Sequence, residues 1–444
     1  MQEFDLAENI LEDIVVNDTL FNDALKKVFQ ANPALRPMRA MVAGIVGCEL
    51  RHHLLFEYLL AEYKDLTPEE KRTISLTLAD LYFYKHIEKE QMLGILKEKI
   101  GEEKYKEISP LLDKVSTDGP YLPDNLSKQS NRYLSLRFNT PEWVLKIFEH
   151  YGFGATYKIL KKNNRPFAYY VRVRTSLMPT EEVLKNNPDF QKTNVDDVLL
   201  YTGKTSLRKN DLVKSGVLFK EKPVTKEIID KYRIEEPKEL FVYNGNLDSS
   251  LLKEIIENYG SSIGINMGVK SFDNYADVSR IIRQKQLKNI NFFASSLDSL
   301  LVSISRPQDL VIVAPDSSNF DLIREQPDYL LHFKKNGMDE LFAQEKEALS
   351  ECSKFVAEGG TLIYMIYTIS KKEGHQTVNE FLTNHPEFHF VEEKQCFPYE
   401  ENETSLYYAV LHKDSNLAKE GTPLAKEMLN ETSNIQNTTL ASDK

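Results

Sequence analysis

The residues that could do chemistry in this chain follow two apolar segments. Leu310–Ala314 runs into Pro315 and Asp316, and the segment Gly359–Ser370 carries Tyr367 near its end. Both segments predict buried strands of an α/β sheet, in which ligands bind beyond the carboxyl ends of the strands. We therefore expect a functional site where these two strands end.

The side chains at these ends are a carboxylate and a phenol. A phenol has an ordinary pKa of about 10, and a carboxylate is a weak nucleophile, so neither is strongly nucleophilic near neutral pH. Each also has a purely structural interpretation. Aromatic side chains such as Tyr367 fill strands, and aspartates such as Asp316 stabilise loops and helix starts.

Two longer patterns contain these residues. The first is V-A-P-D-S followed by Arg324-Glu-Gln-Pro327-Asp328, and the second is G-G-T-L-I-Y-M-I-Y-T followed by Lys372-Glu373-Gly374. Together they resemble the Sun/Fmu family of bacterial rRNA cytosine-C5 methyltransferases, which carry D-A-P-C-S…R-x-x-P-D and G-G-x-L-V-Y-A-T-C-S…E-E-N. The resemblance implies an rRNA substrate and S-adenosylmethionine as the cofactor.

The reactive positions of that family are changed in this chain. The family's nucleophilic cysteine falls on Tyr367, and the cysteine that helps release the product falls on Asp316. Methylation at C5 requires a thiolate to add to the base, and neither residue supplies one. The resemblance therefore implies a pseudoenzyme that keeps RNA binding and has lost methyl transfer.

The family's cofactor loop is altered as well. Of the glycines in that loop, this chain keeps Gly245, which follows Asn244. Asn266 stands where the resemblance places the acid that accepts the ribose hydroxyls. Ala294–Ser296 replaces the aspartate that meets the adenine, and Gly216 is kept while the Gln-Asp pair that follows it is lost. The remnants Asn244, Gly245 and Asn266 are the candidate cofactor contacts, and the substitutions speak against binding of S-adenosylmethionine.

Composition limits the classes of function. The chain has 444 residues, enough for about three domains, and its net charge of −11 excludes a general polyanion binder, so that any nucleic-acid site must be local. Its three cysteines lie far apart, without metal-ligand spacing, which predicts no metal and suits a reducing cytoplasm. No apolar run reaches membrane-spanning length and no signal peptide is evident, so we expect a cytoplasmic protein without membrane contact.

The chain divides into three predicted domains and a tail. Residues 1–115 show helical spacing throughout and resemble the NusB-like helical domain of the family, a surface for RNA or for a protein partner. A Pro- and Gly-containing linker at 116–127 leads to a small α+β module at 130–235. Residues 236–413 alternate strands and helices, which predicts a Rossmann-like methyltransferase domain with a mostly parallel sheet. Residues 414–444 are polar and are predicted to be disordered.

Charge in the middle module departs from the overall balance. Between residues 131 and 178, nine lysines and arginines stand against two acidic residues, and aromatic residues are interleaved with them. Basic side chains hold phosphates and aromatic faces stack on unpaired bases, which predicts RNA binding. A solvated basic face around an ordinary core is the alternative interpretation. The candidate RNA contacts are Arg137, Lys161, Lys162, Arg165, Arg172 and Arg174.

Two other hypotheses stay open on the sequence. One is an active RNA methyltransferase with a rearranged site, for which Cys396 is the cysteine placed late enough in the chain, although its Q-C-F-P-Y-E context predicts a loop. The other is a protein-interaction scaffold that uses the helical N-terminal domain. Methylation that depends on Cys396 would favour the first, and protein binding without RNA binding would favour the second.

Overall fold

The computed structural model describes residues 2–415, except 119–121, 123–125, 166, 235–238, 247, 261, 274 and 402. Half of the predicted linker and all but the first two residues of the predicted tail lie outside the described residues. Within them, a helical N-terminal region is followed by a small antiparallel sheet and a C-terminal α/β domain.

The N-terminal region is helical, as its apolar spacing predicts. Thr67 begins α5 with a capping box, in which Thr67 and Glu70 each accept a hydrogen bond from the other's backbone N–H. A Cβ atom at Gly44 would overlap the ring of Tyr84, so the small residue is what lets the two segments pack closely. The helices are α1 (Gln2–Val15), α2 (Phe21–Ala31), α3 (Arg39–Leu50), α4 (His53–Leu60), α5 (Pro68–Ala79), α6 (Lys89–Ile100) and α7 (Glu102–Asp118).

The helices and the strands of the middle module belong to different hydrophobic cores. Its first three helices share a core with Phe320 and Ile369 of the C-terminal domain, whereas its strands form a separate antiparallel sheet in the order β2-β3-β1-β4. The elements are α8 (Asn131–Phe138), α9 (Glu142–Phe148), α10 (Gly152–Asn163), β1 (Tyr169–Val173), α11 (Thr180–Asn186), β2 (Phe190–Lys192), β3 (Val198–Tyr201), α12 (Asp211–Lys214), β4 (Leu218–Lys220) and α13 (Pro223–Lys231).

The C-terminal domain is the predicted Rossmann-like α/β fold. Its seven strands are ordered β10-β11-β9-β8-β5-β6-β7, and β5 to β9 run parallel while β10 and β11 are antiparallel. The elements are β5 (Glu239–Asn244), α14 (Ser250–Tyr259), β6 (Gly264–Val269), α15 (Ala276–Gln284), β7 (Ile290–Ala294), α16 (Leu300–Ser303), β8 (Gln308–Ala314), α17 (Tyr329–His332), α18 (Met338–Ser353), β9 (Val356–Ile366), α19 (Thr377–Asn384), β10 (Phe388–Cys396) and β11 (Leu406–Lys413).

Three details differ from the sequence-based expectation. The pair Gly359-Gly360 indicates the end of a helix before the strand, but β9 passes through both glycines with Gly359 at φ +72°, where its pairing with β8 shifts register. Asn266 lies inside β6 rather than after it. Cys396 ends the edge strand β10, which was expected to be a loop.

The motif that follows β8 joins the C-terminal domain to the N-terminal helices. Oδ2 of Asp328 accepts a hydrogen bond from the backbone N–H of Phe21, the first residue of α2, at 2.7 Å. At the other end of the motif, the carbonyl oxygen of Arg324 accepts one from the Arg51 guanidinium at 3.0 Å. Asp328 is buried, so it caps a helix of another part of the chain.

We expect Asp328→Ala to loosen this junction. The N-terminus of α2 would lose its acceptor, which should destabilise the protein by about 1–2 kcal/mol. Hydrogen exchange of the α2 amides, measured together with thermal unfolding, should show faster exchange at Phe21 and the next turn. Asp339→Ala removes an exposed carboxylate of the same domain and is the control. Unchanged exchange in α2 would contradict the assignment.

Candidate functional site

The candidate site lies where the chain order of the parallel strands reverses, between β5 and β8. The first residue after β5 contacts the end of β8, because the N–H of Gly245 donates to the Ala314 carbonyl oxygen at 2.8 Å. A Cβ atom at Gly245 would lie 2.9 Å from the backbone nitrogen of Asp316, so glycine is required for this approach. Such a switch point is where α/β sheets bind their ligands.

Tyr367 follows β9 at this end of the sheet and is covered by a charged side chain. The Lys222 ammonium lies 3.5 Å from the centre of the Tyr367 ring, and the phenol oxygen is 3.2 Å from Oγ1 of Thr225. Burial raises the pKa of Tyr367, although Lys222 opposes this effect. The residue is therefore a neutral phenol at physiological pH.

Lys222 is held in place by acids from two loops. Its Nζ lies 2.8 Å from Oδ2 of Asp321, in the loop after β8, and 3.7 Å from Oδ2 of Asp248, in the loop after β5. Burial alone would lower the pKa of Lys222, and Asp321, with Tyr367 and Asp248, raises it instead. Burial would likewise raise the pKa of Asp248, but Lys222 lowers it to about 2. This buried charge cluster joins β4, β5, β8 and β9 at the position of the expected nucleophile.

Asp316 has the geometry of a loop carboxylate. Its Oδ1 accepts hydrogen bonds from the backbone N–H of Ser317 and the side-chain amide of Asn319, each at 3.1 Å. Its Oδ2 lies 3.7 Å from Nζ of Lys270. These contacts fit the structural interpretation of Asp316.

A second buried group lies beneath the same two strand ends. Glu373, at the position of the family's E-E-N motif, accepts hydrogen bonds from the backbone N–H and hydroxyl of Ser318 at 2.6 and 2.8 Å and from the Thr368 hydroxyl at 2.5 Å. Glu345 of α18 is also fully buried, and neither of its oxygens accepts a hydrogen bond from a described donor. Burial, together with the charge of Glu373, raises the pKa of Glu345 to about 12. Glu345 is therefore protonated at neutral pH.

The cofactor side does not reproduce the arrangement that the resemblance implies. The amide of Asn244 donates to the Asp248 carbonyl oxygen at 2.8 Å, and the Tyr275 hydroxyl donates to the Asn246 carbonyl oxygen. Oδ1 of Asn244 is buried and accepts no hydrogen bond from a described donor, so it could still accept one from a ligand. Lys270 follows β6, at the place where the family needs a side chain that accepts hydrogen bonds from the ribose hydroxyls. Its ammonium group can only donate hydrogen bonds. These residues do not fit S-adenosylmethionine in the family's manner.

Asn266 is not at this edge, and its assignment as a cofactor contact is corrected here. Its side-chain amide donates to Oε1 of Gln308 and its oxygen accepts from the amide of Asn291, both at 3.2 Å. Asn291 lies on β7, which pairs with β6, and Gln308 begins β8, on the far side of β5, so the three side chains form a polar row across the sheet. The placement was wrong because β6 continues three residues beyond Asn266.

The cysteines do not supply a relocated nucleophile at this site. Cys396 is buried in the core formed with Leu406 and Tyr408, and burial raises the pKa of its thiol to about 11. Cys352 is fully buried in α18, and burial raises its pKa as well. Both are therefore thiols rather than thiolates at neutral pH.

The six predicted RNA contacts separate into two groups. Arg137, Lys161 and Arg165 are exposed. Lys162 is half-buried and pairs with Glu403, which also holds Arg324 at 2.9 Å.

Arg172 of β1 and Arg174, the residue that follows β1, face inward. Arg172 is buried with Glu254 at 3.3 Å and Asp197 at 3.2 Å, and Arg174 is buried with Glu257 at 2.8 Å. Their charges are neutralised by these acids, so they attach the small sheet to the α/β domain rather than facing a ligand.

Sequence reasoning missed Lys222, Asp321 and Glu345. Lys222 directly follows the Lys220-Glu221 that stands where the family has Gln-Asp, which was a usable signal. Asp321 and Glu345 lie in a polar loop and on a mostly polar helix, where their burial leaves no trace in the local pattern.

Two further observations concern the part of the chain that the structure describes. No helix there is both long and apolar enough to cross a membrane. Those residues also contain no group of three or more histidine, cysteine, aspartate or glutamate side chains that could hold a metal ion.

The protonated state of Glu345 predicts a pH-dependent stability. Its pKa is raised on folding, so the folded state binds the extra proton and stability falls as pH rises above about 4.5, by as much as about 1.4 kcal/mol per pH unit. Glu345→Gln keeps the shape without a charge to bury. Its melting temperature should exceed that of the unchanged protein, and the difference should grow from pH 5 to pH 9.

The matched control is Glu340→Gln, which makes the same change on the exposed side of α18. Its effect should be small at every pH. A Glu345→Gln variant that is less stable by the same amount at all pH values would show that Glu345 is not held protonated.

Comparison with known proteins agrees with the fold and with the motifs. A protein of Bacillus subtilis (strain 168), named "Probable ribosomal RNA small subunit methyltransferase B", is 21% identical over 405 residues, which cover 86% of this chain and 89% of the relative. No family model matches the chain.

Solved structures show the same architecture. The crystal structure of a protein named PH0851 superposes with a TM-score of 0.71 at 15% identity, over 92% of this chain and 99% of that chain. NSun6 from Pyrococcus horikoshii superposes with a TM-score of 0.53 at 13% identity, over 62% of this chain and 99% of its own. At these identities the structures establish the fold alone. The Bacillus relative, which matches over most of this chain, agrees with the resemblance of the two motifs to the Sun/Fmu family, and the solved structures show that the fold is shared.

Proposed function

We propose that this chain is a cytoplasmic rRNA-binding protein that has lost cysteine-dependent methyl transfer to cytosine. One observation carries the proposal. The Lys222 ammonium covers Tyr367 at 3.5 Å, at the position where the family places its nucleophilic thiolate. The relationship to an rRNA methyltransferase supports RNA as the ligand.

The chemistry of the site supports the loss of activity. Attack at C6 of cytosine requires an accessible group with a lone pair at neutral pH, and a buried phenol with a raised pKa is neither accessible nor deprotonated. An incoming base would also have to displace Lys222 from Asp321, which leaves a buried carboxylate unpaired. The residues of this site can position loops but cannot form the covalent intermediate.

The RNA surface that we propose lies on α10 and the adjoining end of α8. Phe153, Tyr157 and Lys161 are spaced by four residues and share one face of α10. Phe153 is 49% exposed and stacks on Tyr157 with 6.2 Å between ring centres. Arg137 lies 5.5 Å from the Phe138 ring beside them. Exposed aromatic faces next to cations are suited to unpaired bases and their phosphates.

The helical N-terminal region belongs to the same proposal as a second contact surface. The NusB-like resemblance suggests that it binds RNA or a protein partner. Its attachment through Asp328 and Arg324 would place such a partner at a fixed position relative to α10.

We expect Lys161→Ala with Arg165→Ala to weaken binding of small-subunit rRNA fragments. Each phosphate that the variant no longer neutralises should reduce the slope of log affinity against log salt concentration by about 0.7 for single strands. Filter binding between about 50 and 200 mM salt measures both quantities. Lys346→Ala with Lys354→Ala removes two charges from α18 and the residue after it, and is the control.

Two results would count against the proposal. Absence of rRNA binding by the unchanged protein at low salt would overturn RNA as the ligand. An equal decrease of affinity in the control variant would show that the α10 surface is not the site.

A further inference from the structure

A cavity of about 320 Å³ lies between the start of α10 and the antiparallel edge of the large sheet. The ring of Tyr151 forms one wall, and Glu393 of β10 and Tyr407 of β11 form another. Neither Tyr367 nor Asp316 lines it. We propose that it binds one unpaired nucleotide of an RNA strand, with a preference for guanine. This inference rests on the proposed RNA binding and assigns it a specific pocket.

Glu393 is the group that would read the base. Its Oε1 lies 2.7 Å from Nδ1 of His375, and its Oε2 accepts from the Tyr407 hydroxyl, so each oxygen retains a lone pair. The side-chain amide of Asn379 lies 2.9 Å from Nε2 of His375, which fixes Nδ1 as the protonated nitrogen. Guanine presents two adjacent N–H donors on its Watson–Crick edge, which match the two oxygens of a carboxylate.

Neighbouring groups complete a nucleotide-sized site. Lys371 is exposed, lies 4.9 Å from the centre of the Tyr151 ring and donates one hydrogen bond, to the His150 carbonyl oxygen at 3.3 Å. An ammonium group has three donors, so two remain for a phosphate. The Tyr151 hydroxyl is fixed by Gln395 at 3.2 Å, which holds its ring as a stacking wall.

The cavity is connected to the proposed RNA surface by aromatic rings. Phe397 packs edge-on against Tyr151 at 4.9 Å, and Tyr399 stacks on Phe397 at 5.2 Å with 7° between the ring planes. Lys158, an exposed residue of α10, lies 5.5 Å from the centre of the Tyr399 ring. A strand that crosses α10 can therefore pass along alternating cations and rings to reach the cavity.

The experiment is calorimetric titration of the full chain with 5′-GMP, 5′-AMP, 5′-CMP and 5′-UMP at low salt. We expect GMP to bind at least tenfold more tightly than UMP. Glu393→Gln should weaken GMP binding about tenfold and leave UMP nearly unchanged, because one donor–acceptor match with guanine is removed. Lys371→Ala should weaken all four nucleotides alike.

Glu380→Gln is the matched control, since it alters an exposed glutamate of the same domain outside the cavity. No saturable GMP binding at millimolar concentration, or equal GMP affinity in the Glu393→Gln variant, would overturn the pocket. If rRNA is retained on filters while GMP does not bind, the pocket alone fails. If GMP binds but rRNA is not retained, the proposed function fails and the cavity is a site for free nucleotides.

Discussion

The arrangement of the site depends on one buried cation. Lys222 sits at the start of α13, yet its partners come from the loops after β5 and β8 and from the end of β9. Asp321 links this group further to β11, because its Oδ1 accepts from the backbone N–H of Ser405 at 2.7 Å. Removing one partner of a buried ion pair costs about 3–5 kcal/mol, so the cluster fixes all these loops together. The side chains of Lys222, Asp321 and Tyr367 therefore occupy the space between these strand ends.

A second pair of ionisable side chains, Glu345 and Glu373, is also fully buried at these strand ends. Burial raises the pKa of both carboxyl groups, which lie beneath the ends of β8 and β9. Glu373 uses its oxygens to hold Ser318 and Thr368, the residues that flank the two strand ends. Residues of the second motif therefore have a structural role at these strand ends. Asp328 and Arg324 of the first motif likewise act as contacts to the N-terminal helices.

Much of the fold could be predicted from the chain itself, because strands and helices of the α/β domain alternate with clear apolar runs. Positions that depend on strand length or on distant partners could not. Asn266 was misplaced because the apolar pattern of β6 continues through G-I-N-M-G-V, and β10 was missed because an edge strand with exposed Phe390 and Val391 has no clean alternation. Arg172 and Arg174 contributed to a basic segment, yet each pairs with a glutamate of α14 that lies more than 80 residues away in the sequence.

The most direct test of the account is a calorimetric titration of the purified protein with S-adenosylmethionine. The altered loop after β5, Lys270 after β6 and the Lys222 cluster predict no saturable binding even at millimolar cofactor. Such a result would exclude methyl transfer in practice and leave RNA binding as the retained function. Saturable binding in the micromolar range would contradict the account, because it would show that the cofactor cleft still works despite these substitutions.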